Sequence, residues 1–338
     1  MATDKTFDLK NPPEYILKLL VATAADDYAE RLAAQSKFAQ ALELPLRKGV
    51  LYADNVRDIY EPVKFAPGQT IEWPLDLLAP GEEDEFVAYT SAGLGRIPDK
   101  QVQGDYVTGQ TYWIESAMQW EIQFAKNALW DVVSRALQVL EAGFTRKINN
   151  DGWRVILTAC ADRNVMVYDA DATAGQFTKR LVSLLKTYMA RNGGGNVGSV
   201  RRGRCTDLFL AIEGIEDVRN WGVDQVDEIT RREIYVAADG SLNRIFSVNL
   251  HGMTEFGEGQ KYQQYFTEQL GGSLAASDLE LLIGLDLETV ESLVMPVREQ
   301  VTIFDDPTLH RQQRQGYYGW GEWGFACLDN RCVIAGSC

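Results

Sequence analysis

Residues 114–142 read IESAMQWEIQFAKNALWDVVSRALQVLEA. Apolar side chains recur at Ile114, Met118, Ile122, Ala125, Leu129, Val132, Val133, Ala136, Leu137 and Leu140, spacings of three and four that gather on one side of an α-helix. The stretch holds no Pro and no Gly, and Gly143 stands where a left-handed helix stop is expected. The pattern predicts one helix over 114–142, roughly 43 Å long. In a chain without repeats, a helix of that length is expected to be the spine on which the other elements pack.

On the N-terminal side of the spine, Lys100–Trp113 is strand-like and feeds into it. Before that, residues 58–104 are rich in Pro, Gly and short β-prone runs. Thr70–Leu75 (TIEWPL) and Phe86–Thr90 (FVAYT), separated by Ala79–Glu85, read as a long β-hairpin. Pro74 suits an edge or projecting arm, because it cannot donate to a central ladder. Residues 51–104 carry ten acidic against four basic side chains. A two-stranded ribbon of this kind is marginal in water and is expected to lie on something else. The N-terminal helix expected from Glu14 to about Leu42 has a thin, alanine-rich apolar stripe through Ile16, Leu17, Leu20, Ala24, Tyr28, Leu32 and Phe38. It too is expected to rest on a neighbour.

Beyond the spine, Trp153–Cys160 is ambiguous between helix and strand. An amphipathic helix is predicted over Phe177–Ala190, a strand over Asp207–Ile212 and a short helix over Glu213–Trp221. Glu233–Ala237 and Arg244–Leu250 are expected to pair across Ala238-Asp239-Gly240-Ser241, where Asp-Gly supplies the positive φ of a tight reversal. At the C-terminus a strand over Tyr317–Cys327, a turn at Leu328–Arg331 and a strand over Cys332–Ala335 close the chain.

The 338 residues, 46% hydrophobic and 24% charged, are those of a folded protein with ample core. A net charge of -15 argues against a surface built to grip nucleic-acid phosphate, though not against enclosing DNA without holding it. The N-terminus does not read as a secretory signal, and no apolar run is long enough to span a membrane, so no membrane partner is expected. Five cysteines without a CxxC pair, beside only His251 and His310, are expected to be reduced thiols and not metal ligands.

No catalytic grouping emerges. The run NGGGNVGSVRRGR (192–204) lacks the Lys and the following Ser or Thr of a phosphate loop, and the element before it reads as helix. His251 and His310 are read as structural, and Asp305-Asp306 are adjacent and so do not face each other on a regular element. Catalytic, cofactor and metal residues are therefore expected to be absent. The residues proposed for subunit contacts are Lys64, Trp73, Arg96, Arg201, Arg202 and Arg204, cations and an aromatic on segments that read as projecting.

The last segment, DDPTLHRQQRQGYYGWGEWGFACLDNRCVIAGSC (305–338), resembles the end of tailed-phage major capsid proteins: a Gly- and aromatic-rich strand, an Asn-containing reversal and a short apolar strand ending in Gly-Ser. The likeness continues upstream in DLFLAIEGIEDVRNW (207–221), in REIYVAADGSLNRIFSVNLHGM (232–253), and in the order of parts. The resemblance implies an α+β chain with the Hong Kong 97-like capsid fold. It would comprise an N-terminal arm (1–49), an E-loop (50–104), a peripheral domain (105–158 and 296–338, with the spine at 114–142) and an axial domain (159–295).

The function it implies is a major capsid protein forming hexamers and pentamers of an icosahedral shell around double-stranded DNA, assembled in the host cytoplasm and resident in the virion. Implied partners are further copies of the chain, a separate scaffolding protein (since the chain opens directly at the arm), a portal protein and an optional cement protein. Packaged DNA would be contacted without sequence specificity. Lys64, Lys100 and Asn330 are residue types that some members crosslink, but no motif assigns them that role here. An encapsulin-like nanocompartment and a soluble hydrolase using His251 or His310 are the alternative readings.

Overall fold

The computed structural model describes residues 12–52, 56–74, 106–172, 175–192, 203–221, 244–274, 280–288 and 292–338, with the side chains of 44, 47–52, 74, 192, 310 and 311 outside the description. The chain divides into two units: Met1–Ile71, Gly109–Gly152 and Val294–Ala326 form the first, and Glu72–Thr108, Trp153–Leu293 and Cys327–Cys338 the second.

In the first unit, helices α1 (Glu14–Ala22) and α2 (Tyr28–Tyr52) precede strand β1 (Glu61–Lys64). In the second unit, β2 (Glu72–Pro74) and β3 (Tyr106–Thr108) form an antiparallel ribbon that makes a two-stranded sheet of its own. Then follow β4 (Tyr112–Glu121), the short α3 (Ile122–Lys126) and the long α4 (Trp130–Arg163).

The expected spine over 114–142 is thus corrected: its first eight residues are strand and its helix starts later. Residues 112–121 pair antiparallel with β11 (Arg314–Trp323) along a ten-residue register from Tyr112↔Trp323 to Glu121↔Arg314. Ile114 and Trp120 are buried, Ser116 and Met118 half-buried, and the odd-numbered residues between them exposed, which is the two-residue period of a strand with one face on a core. A spacing of four, as in Ile114, Met118 and Ile122, fits that period as well as it fits a helix. Gly143 does not end the helix either. It lies inside α4, where a side chain would meet only Ser116 Oγ, at 3.8 Å. The helix stops at Asn164, whose φ of 49° supplies the left-handed turn. Its 34 residues make it about 51 Å long.

Within the first unit α4 buries Trp130, Val133, Leu137, Leu140, Phe144 and Ile148, a three-four stripe that meets the inner face of the sheet β1-β10-β11-β4, where β10 is Leu293–Asp305. Gly319 and Gly321 on that inner face leave room for rings. A Cβ at Gly321 would fall 2.2 Å from Trp323, and one at Gly319 would fall 3.3 Å from Phe144. The N-terminal segment, expected to project as an arm, also belongs to this core over its described part. Ile16, Leu20, Phe38 and Leu42 are fully buried, and the Phe38 ring lies 5.6 Å from Tyr317 and 6.4 Å from Trp130. Its small residues, Ala24, Ala34 and Ala39, are buried too; they mark close packing on the unit's own body and not a weak face.

The second unit is built on a six-stranded sheet, β5-β13-β9-β6-β8-β7. Its strands are β5 (Met166–Tyr168), β6 (Asp207–Ala211), β7 (Arg244–Ile245), β8 (Val248–Met253), β9 (Leu281–Leu285) and β13 (Val333–Ser337); the two-residue strand β12 (Ala326–Cys327) is not part of this sheet. Strands β6, β9 and β13 are buried throughout, as strands covered on both faces must be. Helices α5 (Lys179–Asn192) and α6 (Ile212–Asn220) cover one face through Leu181, Leu185, Met189 and Val218. On the other face Trp153 of α4 packs against Phe209, Phe256 and Tyr262 at 4.9, 5.4 and 6.0 Å.

Two further expectations change here. The resemblance implies that the closing strand belongs with residues 296–338 to the peripheral domain. It instead lies in the second unit's sheet, parallel to β5 and antiparallel to β9. Arg244–Leu250 is not one strand but a hairpin, reversing at Phe246 and Ser247 with φ of 51° and 65°. Residues 233–243, the other half of the expected hairpin, lie outside the described residues, as does the 192–204 glycine run up to Arg202.

Candidate subunit interface

Strands β4, β11 and β10 turn one face to α4 and the other outward. On the outward face the register places Trp113 opposite Glu322, Glu115 opposite Trp320, and Ala117 opposite Tyr318, with Phe304 of β10 opposite Tyr318 on its other side. The result is an aromatic ladder. The Trp113 and Trp320 rings lie 4.5 Å apart, Trp320 and Phe304 are stacked at 5.8 Å, and Phe304 and Tyr318 at 5.6 Å. Such diagonal and direct cross-strand pairs hold each other in place. They do so at the surface: Trp113 is 53% exposed and Tyr318 41%. Arg298 bonds Glu322 at 3.1 Å and the Gln69 carbonyl at 2.9 Å, bracing the rim of the face. Contiguous exposed aromatic area on a well-ordered sheet is what a protein-protein contact requires.

The β2–β3 ribbon is the second candidate surface. Tyr106 on it is 64% exposed. The ribbon's described strands differ from the expected hairpin, since Glu72–Pro74 pair with Tyr106–Thr108, and Phe86–Thr90 lies outside the described residues.

Of the residues expected at contacts, Lys64 ends β1 and is exposed, in the first unit. Trp73 sits half-buried on β2 in the second unit. Arg204 is held within its own chain: its guanidinium pairs with Glu288 at 3.2 Å and its backbone N–H donates to Asp286 Oδ2 at 2.9 Å. Arg96, Arg201 and Arg202, and also Lys100, lie outside the described residues. The ladder does not show in the sequence because Trp113 reads as the end of the strand-like Lys100–Trp113 and the residues after it as the helix itself. The available signal was the alternation Tyr318, Trp320, Glu322 against Tyr317, Gly319, Gly321 and Trp323, which separates an outward from an inward face.

His251 stacks on Phe209 at 4.6 Å and its Nε2 lies 2.8 Å from Asp207 Oδ1. Asp207 also accepts from Asn249 Nδ2 at 3.0 Å and Thr206 Oγ1 at 2.7 Å. Burial works to raise the Asp207 carboxyl, but bonds from His251, Asn249 and Thr206 outweigh it and hold the group below its ordinary value. The histidine therefore serves as one of three tethers of a carboxylate at the start of β6. Asp306 accepts from the backbone N–H and hydroxyl of Thr308, at 2.9 and 2.6 Å, starting the 3-10 turn Pro307–Gln312. Among the described residues no group of three or more His, Cys, Asp and Glu is placed to hold a metal ion, and no helix is long and apolar enough to cross a membrane.

No protein-family model matches the chain, and no curated protein matches it by sequence. Solved structures do. The acidic stable capsid structure of Helicobacter pylori bacteriophage KHP30 is similar over 84% of this chain and 91% of that one, with a TM-score of 0.56 and 10% identity. The chain has the fold of phage capsid proteins. The capsid of cyanophage P-SCSP1u aligns over 83% of this chain and 86% of that one (TM-score 0.53, 11% identity). The capsid of a native GTA particle aligns over 84% and 90% (TM-score 0.53, 11% identity). The mixed helix and sheet expected for a Hong Kong 97-like chain is the architecture found.

Proposed function

We propose that this protein is the major capsid protein of a tailed bacteriophage, assembling as hexamers and pentamers into an icosahedral shell around double-stranded DNA. The observation that carries the reading is the extent of the likeness to shell proteins: 84% of the chain, too much to come from one α/β module shared with unrelated folds. The role is structural and not catalytic. In this reading the first unit is the peripheral domain, the second the axial domain, and the segment that leaves and returns through β2 and β3 belongs to the E-loop. Neighbouring copies cover the aromatic ladder and the ribbon edges, surfaces that one subunit leaves to water. A scaffolding protein and a portal protein assist assembly in the host cytoplasm. The net charge of -15 keeps packaged DNA from adhering to the wall. Sedimentation velocity of the protein expressed with its scaffold tests the reading. Capsomere- and shell-sized species are expected, and a single monomer boundary at high concentration contradicts it.

A further inference from the structure

We propose that Cys327 and Cys332 are an oxidisable pair, a site that takes an intrachain disulfide when the protein meets a low-molecular-weight disulfide such as oxidised glutathione. The turn between them brings the two thiols together. Asp329 Oδ1 accepts from the Arg331 N–H at 2.9 Å and starts the 3-10 turn Asn330–Cys332, folding the chain back. The Cys332 thiol then donates to the Asp329 carbonyl at 2.9 Å and the Cys327 thiol to the same oxygen at 3.4 Å. Both thiols therefore converge on one carbonyl oxygen.

Their surroundings give the two sulfurs different parts. Cys327 is partly exposed and open to attack on a soluble disulfide, whereas Cys332 is buried behind it. Arg163, at the end of α4, fixes the turn by donating through Nη1 to the carbonyls of Asn330 at 3.2 Å, Arg331 at 3.4 Å and Val333. Its Nη2 is buried without a hydrogen bond, and its charge lies beside Cys332 and Cys160. Hydrogen bonding to Cys327 and burial push the Cys332 thiol well up, so its step quickens in alkali. Of the other thiols, Cys160 is wholly buried on the helix, and Cys205 and Cys338 lie in the core under α5 and α6.

The chemistry is two thiol-disulfide exchanges. The Cys327 sulfur attacks one sulfur of oxidised glutathione, giving a mixed disulfide and one glutathione thiolate, which takes up the proton Cys327 lost. The Cys332 sulfur then attacks Cys327 Sγ and expels the second glutathione, which takes the second proton. Two protein thiols are oxidised to one disulfide and one glutathione disulfide is reduced to two thiols.

The full-length reduced protein, treated with oxidised glutathione at about pH 8, quenched in acid, denatured, alkylated and mapped by mass spectrometry, tests the proposal. The expected product keeps three of the five thiols alkylatable and yields a peptide linking Cys327 to Cys332, reversed by dithiothreitol. Cys332→Ser should stop at a glutathione adduct on Cys327. The wild-type map decides the matter even if that variant folds poorly. Five alkylated thiols, a wild-type product that ends as the adduct, or a linkage through Cys160, Cys205 or Cys338 would each overturn it. The linkage lies within one subunit, so its absence would leave the shell reading untouched.

Discussion

Gln315 on β11 closes the end of α1: its side-chain amide donates to the carbonyl of Thr23, 292 residues away in sequence. Its Oε1 accepts from Trp120 Nε1 at 3.1 Å, so one amide joins α1, β4 and β11 in a site from which water is excluded. The Thr23 carbonyl is one of the acceptors a helix end leaves without an intrahelical partner. Gln315→Leu keeps the bulk and strips both bonds, leaving a buried N–H and a buried carbonyl unpaired. The expected loss is about 2–4 kcal/mol of unfolding free energy in urea denaturation of the subunit. No measurable loss would mean that α1 is not seated as described.

Phe38→Ala tests whether the N-terminal segment is core or limb. A fully buried ring between Trp130 and Tyr317 should cost about 3–5 kcal/mol when removed. A projecting arm would tolerate the change in the isolated subunit with almost no shift in denaturation midpoint.

Two carboxylates give pH signatures of opposite sign. Asp207 is held below its ordinary value of 3.8, so its contribution is complete above that pH and fades as pH falls below it. Asp207→Asn should therefore be less stable than wild type near neutrality, with the gap narrowing under acid. Glu280 is pushed up to about 7, first by burial and then by Glu213, Asp217 and Glu258. The folded chain thus holds a proton that the unfolded one releases near 4.5, and stability falls as pH rises from there through 7. Glu280→Gln should gain on the order of 1–2 kcal/mol above neutrality, allowing for screening at a partly exposed group, and nothing at about pH 4. Urea titrations across that range check both.

Trp113→Ser separates folding from assembly. The ring is 53% exposed, so subunit stability should move by less than about 1 kcal/mol, while shell yield on co-expression drops sharply if neighbouring copies cover the ladder. Unchanged shell yield would remove the ladder from the interface.

What the residues disclosed, and what they hid, follows from how local each signal is. Asp207–Ala211, Ile212–Asn220 and Lys179–Asn192 are short elements with one clear period or a uniformly apolar run, and they appear within one or two residues of expectation. The strand at 112–121 was hidden because Ile114, Met118 and Ile122 recur every four residues, a spacing both periods share, and only pairing with β11 decides between them. The Phe246-Ser247 reversal carries no Gly or Asn, so nothing local announces two left-handed residues. The position of Val333–Ser337 between β5 and β9 depends on strands some 50 and 170 residues earlier, beyond the reach of any window. The aromatic interface was visible as composition in the C-terminal strand. Its other half, Trp113, joins that strand only through the pairing of residues 112–121 with β11.

Electron microscopy of the protein co-expressed with its scaffold measures the central claim most directly. The account predicts closed, uniform shells whose reconstructed wall shows Trp113, Trp320, Phe304 and Tyr318 covered by a neighbouring copy. Dispersed single subunits under the same conditions, with that aromatic face open to solvent, would contradict it.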